Sequence, residues 1–555
     1  MSNVFARTMP SRVRIVAAVT AALVLGGLTA RPTEAAFDII DLSITDALAG
    51  MTGGQYTSAE LTQAYLDRIK AFDPTYNAFV SMNPDALAQA QAIDARRAAG
   101  LSVGPLAGVP IVIKDNMDYA GLVTTNGFKG FSSKTGGIDL KPAQDATMVA
   151  RLKAAGAIII GKTNLPDFAG DGTRTISTVD GRTVNPLVPN KVPGGSSGGS
   201  AVAVNGSFAI GGMGTETGTS IHNPATFNNI VGVRPTQGLV PIDGIYPLSG
   251  TFRDVTGPLT TSVRDAALML NVVAGRSPRD RLTNSAPAAV PDYTANLTTA
   301  ALAGMRIGSW DESFSNLGNV KPFVAQSSAL YNNALNVIGG LGATVDTSKY
   351  LATRGWTAAL TALGSEPASS AFDVNSYLSG TSADTPFKSV AEYNALIDAM
   401  YPDADPLTRG GTAQAYVDRR DDLRDLFEDI LDAADLDGLV FPVHTRPLVN
   451  ALDADREIGT VSGTVNILGI PGVIVNAGHF MGDADGDGDD DTTDPFSLIF
   501  LGRRFDEADI LSYAYAFEQA FDSRIVPTLI PEPTTFMALF GGSVLLLARR
   551  RQPAA

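Results

Sequence analysis

Two short apolar runs without alternation constrain the fold most, Ile111-Val112-Ile113 and Ala157-Ile158-Ile159-Ile160, and Gly472 to Ala477 reads as a further strand. A strand with one wet face alternates apolar and polar residues, so unbroken runs of this length are expected of strands buried on both faces. Around them the period changes to that of helices. Ser58 to Phe72 places Leu61, Ala64, Tyr65 and Ile69 on one face, with Thr57 or Ser58 as N-cap. Pro84 to Ala99, Thr147 to Ala155, Val263 to Ala274 and Asp506 to Phe521 read as further helices. Strands alternating with helices predict an α/β fold whose sheet is covered on both faces. Apolar residues make up 45% of the 555-residue chain, enough for a sizeable core. Residues 280–460 are less patterned; helical stretches near 322–340 and 410–434 suggest a helical cap or substrate-shaping region. There is no internal repeat.

Charge is distributed unevenly. The net charge is −16, and because residues 1–36 and 531–555 are each basic, the body 37–530 carries −21. Such a body repels nucleic acid and anionic membrane. The absence of cysteine excludes disulfides, thiolate catalysis and thiolate metal sites. Arg7, Arg12 and Arg14 precede an apolar stretch from Ile15 to Ala30 and small residues suited to cleavage, so 1–36 reads as a secretory signal peptide. At the other end, 531–555 has Pro531-Glu532-Pro533, an apolar run and Arg549-Arg550-Arg551. That order resembles the PEP-CTERM sorting signal of Gram-negative bacteria. The resemblance implies an exosortase-type processing protease as partner and a mature protein in the periplasm, on the outer surface or in the extracellular matrix. Membrane contact is then expected only through the terminal segments.

Chemistry concentrates in the Gly-rich centre. Lys114 closes Gly-Val-Pro-Ile-Val-Ile-Lys-Asp-Asn, Ser196 lies in Pro-Gly-Gly-Ser-Ser-Gly-Gly-Ser, and Ser220 in Gly-Thr-Glu-Thr-Gly-Thr-Ser-Ile. A serine hydroxyl needs a base, and a lysine serves only when burial or neighbouring donors keep it neutral. A second serine can relay the proton, because a hydroxyl both donates and accepts. Two other patterns compete. Gly156 to Thr163 satisfies the Walker A spacing, but its middle residues read as a strand rather than a phosphate-cradling loop. Gly195-Ser196-Ser197-Gly198-Gly199 fits the nucleophile elbow of an α/β-hydrolase-type esterase using Ser197, with His444 or His479 as a late histidine. The proline-rich residues before it lack a strand pattern.

The Lys114, Ser196 and Ser220 segments resemble, in motif and spacing, those of the amidase signature family. Val231-Gly-Val-Arg-Pro-Thr236, Asp254-Val-Thr-Gly-Pro258 and Asn466-Ile-Leu-Gly-Ile-Pro471 look like further landmarks of that family. The resemblance implies a single domain over 37–530 with a large mixed β-sheet covered by helices on both faces. It implies hydrolysis of a small-molecule carboxamide to a carboxylate and ammonia or amine, without a catalytic cofactor. Ser220 would be the nucleophile, Ser196 the relay held by a cis peptide bond, and Lys114 the base. Backbone amides of Thr217, Gly218, Thr219 and Ser220 would form the oxyanion hole.

Two residues depart from the family pattern: Thr219 stands where a glycine usually precedes the nucleophile, and His222 where an arginine is usual. A β-branch at 219 resists positive φ, so a surface or matrix-associated binding protein with impaired turnover is the alternative from another class. An insert, 482–495, places Asp483, Asp485, Asp487, Asp489, Asp491 and Asp494 at positions 1, 3, 5, 7, 9 and 12 of an EF-hand-like loop, with Gly488 at position 6. The expectation is a Ca2+ ion that orders a surface loop.

Overall fold

The computed structural model describes residues 37–309, 324–348, 354–364, 366, 370–379, 389, 391–392, 395, 413–452, 463–484, 488 and 491–529. The signal-peptide and sorting-segment expectations therefore lie outside the described residues. Among those residues, no helix is long and apolar enough to cross a membrane.

The strands are β1 Phe79–Met82, β2 Pro110–Lys114, β3 Ile158–Thr163, β4 Ile176–Ser177, β5 Gly181–Arg182, β6 Gly211–Glu216, β7 Val231–Arg234, β8 Val255–Thr260, β9 Arg306–Ser309, β10 Thr344–Asp346, β11 Gly438–Pro442, β12 Gly472–His479 and β13 Pro495–Leu501. Eleven join into one mixed sheet in the order β1-β3-β2-β6-β8-β7-β12-β13-β11-β9-β10, while β4 and β5 form a separate hairpin. β3, β2 and β6 run parallel, as do β11, β9 and β10; antiparallel pairs link the two groups. Every residue of β2, β3, β11 and β13 is buried, which explains why two of them read as unbroken apolar runs.

The helices expected from periodicity form close to their predicted limits, at Ala86–Ala98, Thr147–Ala154, Val263–Val273 and Glu507–Ala520. A helix at Ile44–Thr52 precedes the first one expected, which starts at Ser58, where Thr57 and Glu60 complete a reciprocal capping box, but continues to Tyr76 through Pro74. Asn77 ends it in the left-handed conformation, φ 53°. Residues 280–460 are more than a helical cap. They supply the helices Ala325–Gly340 and Ala413–Ala433, and also β9, β10 and β11, which extend the sheet.

β6, Gly-Gly-Met-Gly-Thr-Glu, has few of the usual strand formers. Its glycines serve close packing. A Cβ at Gly214 would lie 2.8 Å from Ser197 Oγ, and one at Gly211 would lie 2.6 Å from Met269 Sδ. The helix Gly198–Asn205 can thus lie directly on β6, bringing the segment before it over the end of β2.

Candidate active site

Parallel pairing of β2 and β6 sets Ile113 opposite Met213, so Lys114 and Thr215 emerge side by side at the strand ends. Lys114 Nζ donates to Thr215 Oγ1 at 2.8 Å and to Ser196 Oγ at 2.6 Å. Ser196 Oγ lies 2.9 Å from Ser220 Oγ. The three residues that sequence reasoning singled out thus form one chain of hydrogen bonds, with Lys114 and Ser196 fully buried and Ser220 5% exposed. The Gly195–Ser196 peptide bond is cis, as the family resemblance implied.

Burial pushes the Lys114 ammonium down to about 7, against the opposing pull of the Asp254 and Glu216 carboxylates. Among the described residues no carboxylate reaches it directly; its two acceptors are hydroxyls. The neutral amine is therefore accessible near neutrality, as a general base requires.

The segment after β6 that carries Ser220 is held from several sides. Thr217 Oγ1 donates to Asp254 Oδ1 at 2.5 Å, and the Asp254 carboxylate also accepts from the backbone of Leu248 and Gly250. Asn466 Nδ2 donates to Gly218 O, while Asn466 Oδ1 accepts from Arg234 Nε at 3.0 Å. Beneath, Glu216 Oε2 accepts from the backbone N–H groups of Ile221 and His222 at 2.8 and 2.9 Å and faces His222 Nδ1 at 2.5 Å. Arg234 Nε completes the cluster 3.2 Å from Glu216 Oε1. Burial works to raise the Glu216 carboxyl, but His222, Arg234 and the backbone donors outweigh it and hold it below the usual range. His222 thus fills its position as a partner of Glu216. The backbone N–H groups of Thr217, Thr219 and Ser220 have no acceptor among the described residues.

Thr219 does not adopt a positive φ, so its β-branch carries no backbone penalty there. Room for it comes from Gly172: a Cβ there would lie 2.2 Å from Thr219 Oγ1, which instead points to Gly172 O at 3.4 Å. Gly172 O also accepts from Asn223 Nδ2 at 2.8 Å and from Gly195 N at 3.1 Å.

The competing patterns find other roles. Ser197 Oγ is bound to the backbone of Thr215, and neither other histidine joins it. His444 Nδ1 lies 2.6 Å from Arg446 O in an aromatic nest of Phe227, Phe480 and Phe496, where burial pushes it down to about 4. His479 Nε2 faces Asn229 at 3.3 Å. The Walker-like run is β3 itself, and its Lys162 is paired with Asp115 at 2.9 Å.

In the acidic insert, Asp485, Asp487 and Asp489 lie outside the described residues. Asp483 accepts from Gly488 N at 3.2 Å. Asp491 and Asp494 already share a cation: the buried Lys191 Nζ sits 3.1 Å from Asp491 Oδ1 and 3.9 Å from Asp494 Oδ2. Among the described residues, no group of three or more His, Asp or Glu could hold a metal ion.

Thr215, Asn116, Asp254, Asn466 and the Glu216–Arg234 pair were not singled out for these roles by the sequence. Asn116 Nδ2 donates to Thr215 Oγ1 at 3.1 Å. All of them lie within the quoted motifs, yet nothing in a motif says that Asn116 contacts a residue 99 positions away.

The family profile described as Amidase matches residues 60–511, and the PEP-CTERM protein-sorting motif matches residues 529–552. The chain therefore belongs to the amidase family, the amidase signature enzymes, which hydrolyse amide C–N bonds. It is 34% identical over 500 residues to a glutamyl-tRNA(Gln) amidotransferase subunit from Chloroflexus aurantiacus, spanning 86% of this chain and 96% of that protein. The native peptide amidase of Stenotrophomonas maltophilia superposes with a TM-score of 0.72 at 32% identity, over 88% of this chain and 99% of that one. Peptide amidase in complex with the competitive inhibitor chymostatin gives a TM-score of 0.74 at 33% identity, over 89% and 100%.

Proposed function

We propose that the protein is an exported serine amidase that forms an acyl-enzyme on Ser220. The observation that carries this reading is the unbroken path Lys114 Nζ–Ser196 Oγ–Ser220 Oγ, at 2.6 and 2.9 Å, ending on a lysine whose proton burial has loosened. With Lys114 neutral, the Ser220 proton passes to Ser196 as Ser196 passes its own to Lys114. The alkoxide then attacks the substrate carbonyl carbon. The backbone amides of Thr217, Gly218, Thr219 and Ser220 are assigned to the developing oxyanion, where preorganised donors are worth most. Collapse breaks the C–N bond, and the leaving amine takes its proton back along the same path. Water repeats the attack on the ester, releasing the carboxylate and restoring Ser220.

Export rests on the sorting motif and on the signal-like layout of 1–36, with exosortase-type processing implied. A Ca2+ ion in the acidic insert belongs to this reading only as a loop-ordering ligand, supported by the oxygen spacing; Lys191 is a resident competitor for Asp491 and Asp494. A calcium-dependent rise in melting temperature tests it.

The first experiment is intact-mass analysis after exposure to a fluorophosphonate. One adduct on the wild type that is lost in Ser220→Ala establishes the nucleophile. No adduct on folded protein returns the weight to a binding protein, and an adduct that persists in the variant returns it to Ser197.

A further inference from the structure

The last stretch of the described chain is tied to the first. Arg524 follows the helix Glu507–Ala520, and its guanidinium spends every nitrogen on the body. Nε lies 2.9 and 3.0 Å from the two carboxylate oxygens of Asp41, 483 positions away, and Nη2 donates to the same carboxylate. Nη1 donates to Asn229 O at 2.8 Å and to Asn205 Oδ1 at 3.2 Å. A fork laid on a carboxylate fixes direction as well as distance, which a lysine in the same place would not do. Next to it, Ile525 N donates to Asn229 Oδ1 at 2.6 Å, and Asp41 N donates to Ser207 Oγ at 3.0 Å.

Backbone conformation marks the same spot. Asp41, Ser207 and Asn229 have φ of 54°, 53° and 52°, the left-handed region that residues other than glycine seldom occupy. Such conformations persist where surrounding contacts over-determine them. Here the Arg524–Asp41 pair joins all three.

Strand register fixes where this clasp lies relative to the proton path. Gly211 and Val231 both stand opposite Thr260, at one end of β6, β7 and β8. Ser207 lies just before β6 and Asn229 just before β7, so the clasp is at that end. At the other end Glu216 stands opposite Val255, where Thr215 holds Lys114 and Asp254 holds Thr217. A strand rises about 3.3 Å per residue, so roughly 17 Å separates Gly211 from Glu216. The helix Gly198–Asn205 crosses the same gap, with Ser197 as its N-cap beside Ser196 and Asn205 at the clasp. The sorting motif begins at residue 529. From Ile525 to that residue an extended chain reaches at most about 14 Å, less than the length of β6. The chain therefore enters the motif from the end of the sheet remote from Ser220.

We propose that the Arg524–Asp41 clasp orients the protein on the cell envelope. Attached through its sorting segment, the body turns the Lys114–Ser220 end away from the attachment surface, and its substrates are amides dissolved on the far side rather than amides embedded in that surface. The strongly acidic body favours standing off an anionic surface over lying along it. The substrate clause depends on the amidase reading above; the orientation does not.

The test uses the full chain with a hexahistidine insert after Pro533, bound to phosphatidylcholine vesicles that carry a nickel-chelating lipid and a fluorescent acceptor lipid. Because the chain has no cysteine, a donor dye can be placed at one site: Thr45→Cys, exposed and close to Asp41, or Leu248→Cys, exposed and joined to Asp254 through its backbone. Energy transfer should be about 3-fold or more stronger from Thr45→Cys, given the ~17 Å between the two ends. Arg524→Ala should bring the two sites toward equality, and Arg524→Lys, which keeps the charge but loses the fork, should fall between. A second measurement labels Ser220 with a water-soluble fluorophosphonate and with one carried on a palmitoyl chain in the vesicle. Bound protein should react with the first as fast as free protein does, and with the second an order of magnitude more slowly. Equal transfer from the two sites would overturn the orientation, a transfer ratio unchanged in Arg524→Ala would overturn the clasp, and faster reaction with the bilayer-borne reagent would overturn the substrate side. An intact transfer ratio with no labelling by either reagent would uphold the orientation and sink the amidase mechanism.

Discussion

Two lysines at the ends of neighbouring parallel strands have opposite surroundings. Lys114 ends β2, and Lys162, opposite Ile113 in the register, lies near the end of β3; both are fully buried. Lys162 spends its ammonium on Asp115 at 2.9 Å, Thr124 Oγ1 at 2.8 Å and Val123 O at 3.0 Å, a set that stabilises a fixed cation. Among the described residues, Lys114 meets only the hydroxyls of Ser196 and Thr215. Burial is the same, so partner chemistry separates the two: a carboxylate ties down a charge, while hydroxyls serve either protonation state. The third buried lysine, Lys191, follows the Lys162 pattern with Asp491.

The largest test of this contrast is catalytic. Ser220→Ala and Lys114→Ala should each remove turnover by a factor on the order of 10⁴ or more, because members of one proton path act as a unit. Lys162→Met should instead act on folding. It strands the Asp115 carboxylate and should lower unfolding free energy in urea by about 3–5 kcal/mol, with recovery in the Lys162→Met/Asp115→Asn double variant. Lys114→Met strands no ion-paired partner, so it should leave stability at neutral pH equal or higher. An equal loss from both methionine variants would refute the comparison.

The pH dependence follows from Lys114. Activity should rise with pH and level off above about 7, as Lys114 becomes neutral. For stability the sign follows from the same shift. Between about 7 and the ordinary lysine value of 10.5 the unfolded chain holds a proton that the folded one does not, so Lys114 favours folding as pH rises and disfavours it as pH falls. Lys114→Met should remove up to about 1.4 kcal/mol per pH unit of that slope; urea melts across this window measure it.

The smallest expected effect concerns Thr219. Thr219→Gly should change kcat/KM by less than about 3-fold, within the range of substitutions that touch no strained or paired group. Gly172→Ala should be far worse, because its Cβ would collide with Thr219 Oγ1, and Gly172→Ala/Thr219→Gly should recover much of the loss. No recovery would show that Gly172 is needed for another reason.

Much of this was legible in the chain. The unbroken runs became β2 and β3, the Gly472 to Ala477 stretch became part of β12, and the helical periods became helices because each has a face to bury. β6 was invisible because packing against Ser197 and Met269 selected glycine over strand formers. β9, β10 and β11 were hidden by being short and embedded in polar sequence. Lys114, Ser196 and Ser220 stood out because each is set in a local motif, whereas the contacts of Asp254 with Thr217 and of Asn466 with Gly218 cross chain separations that no local pattern encodes.

By itself the sequence determined the α/β class, the family and the motifs that carry Lys114, Ser196 and Ser220, since these lie in local periodicity and in short stretches of chain. Only the tertiary structure decided that, among the described residues, Lys114 has no direct carboxylate partner while Lys162 and Lys191 do, that Thr219 fits because Gly172 yields, and that Glu216 sits between His222 and Arg234. The physical reason is common to all three: protonation, packing and pairing depend on which groups the fold places within a few ångströms of one another, and those groups come from distant parts of the chain.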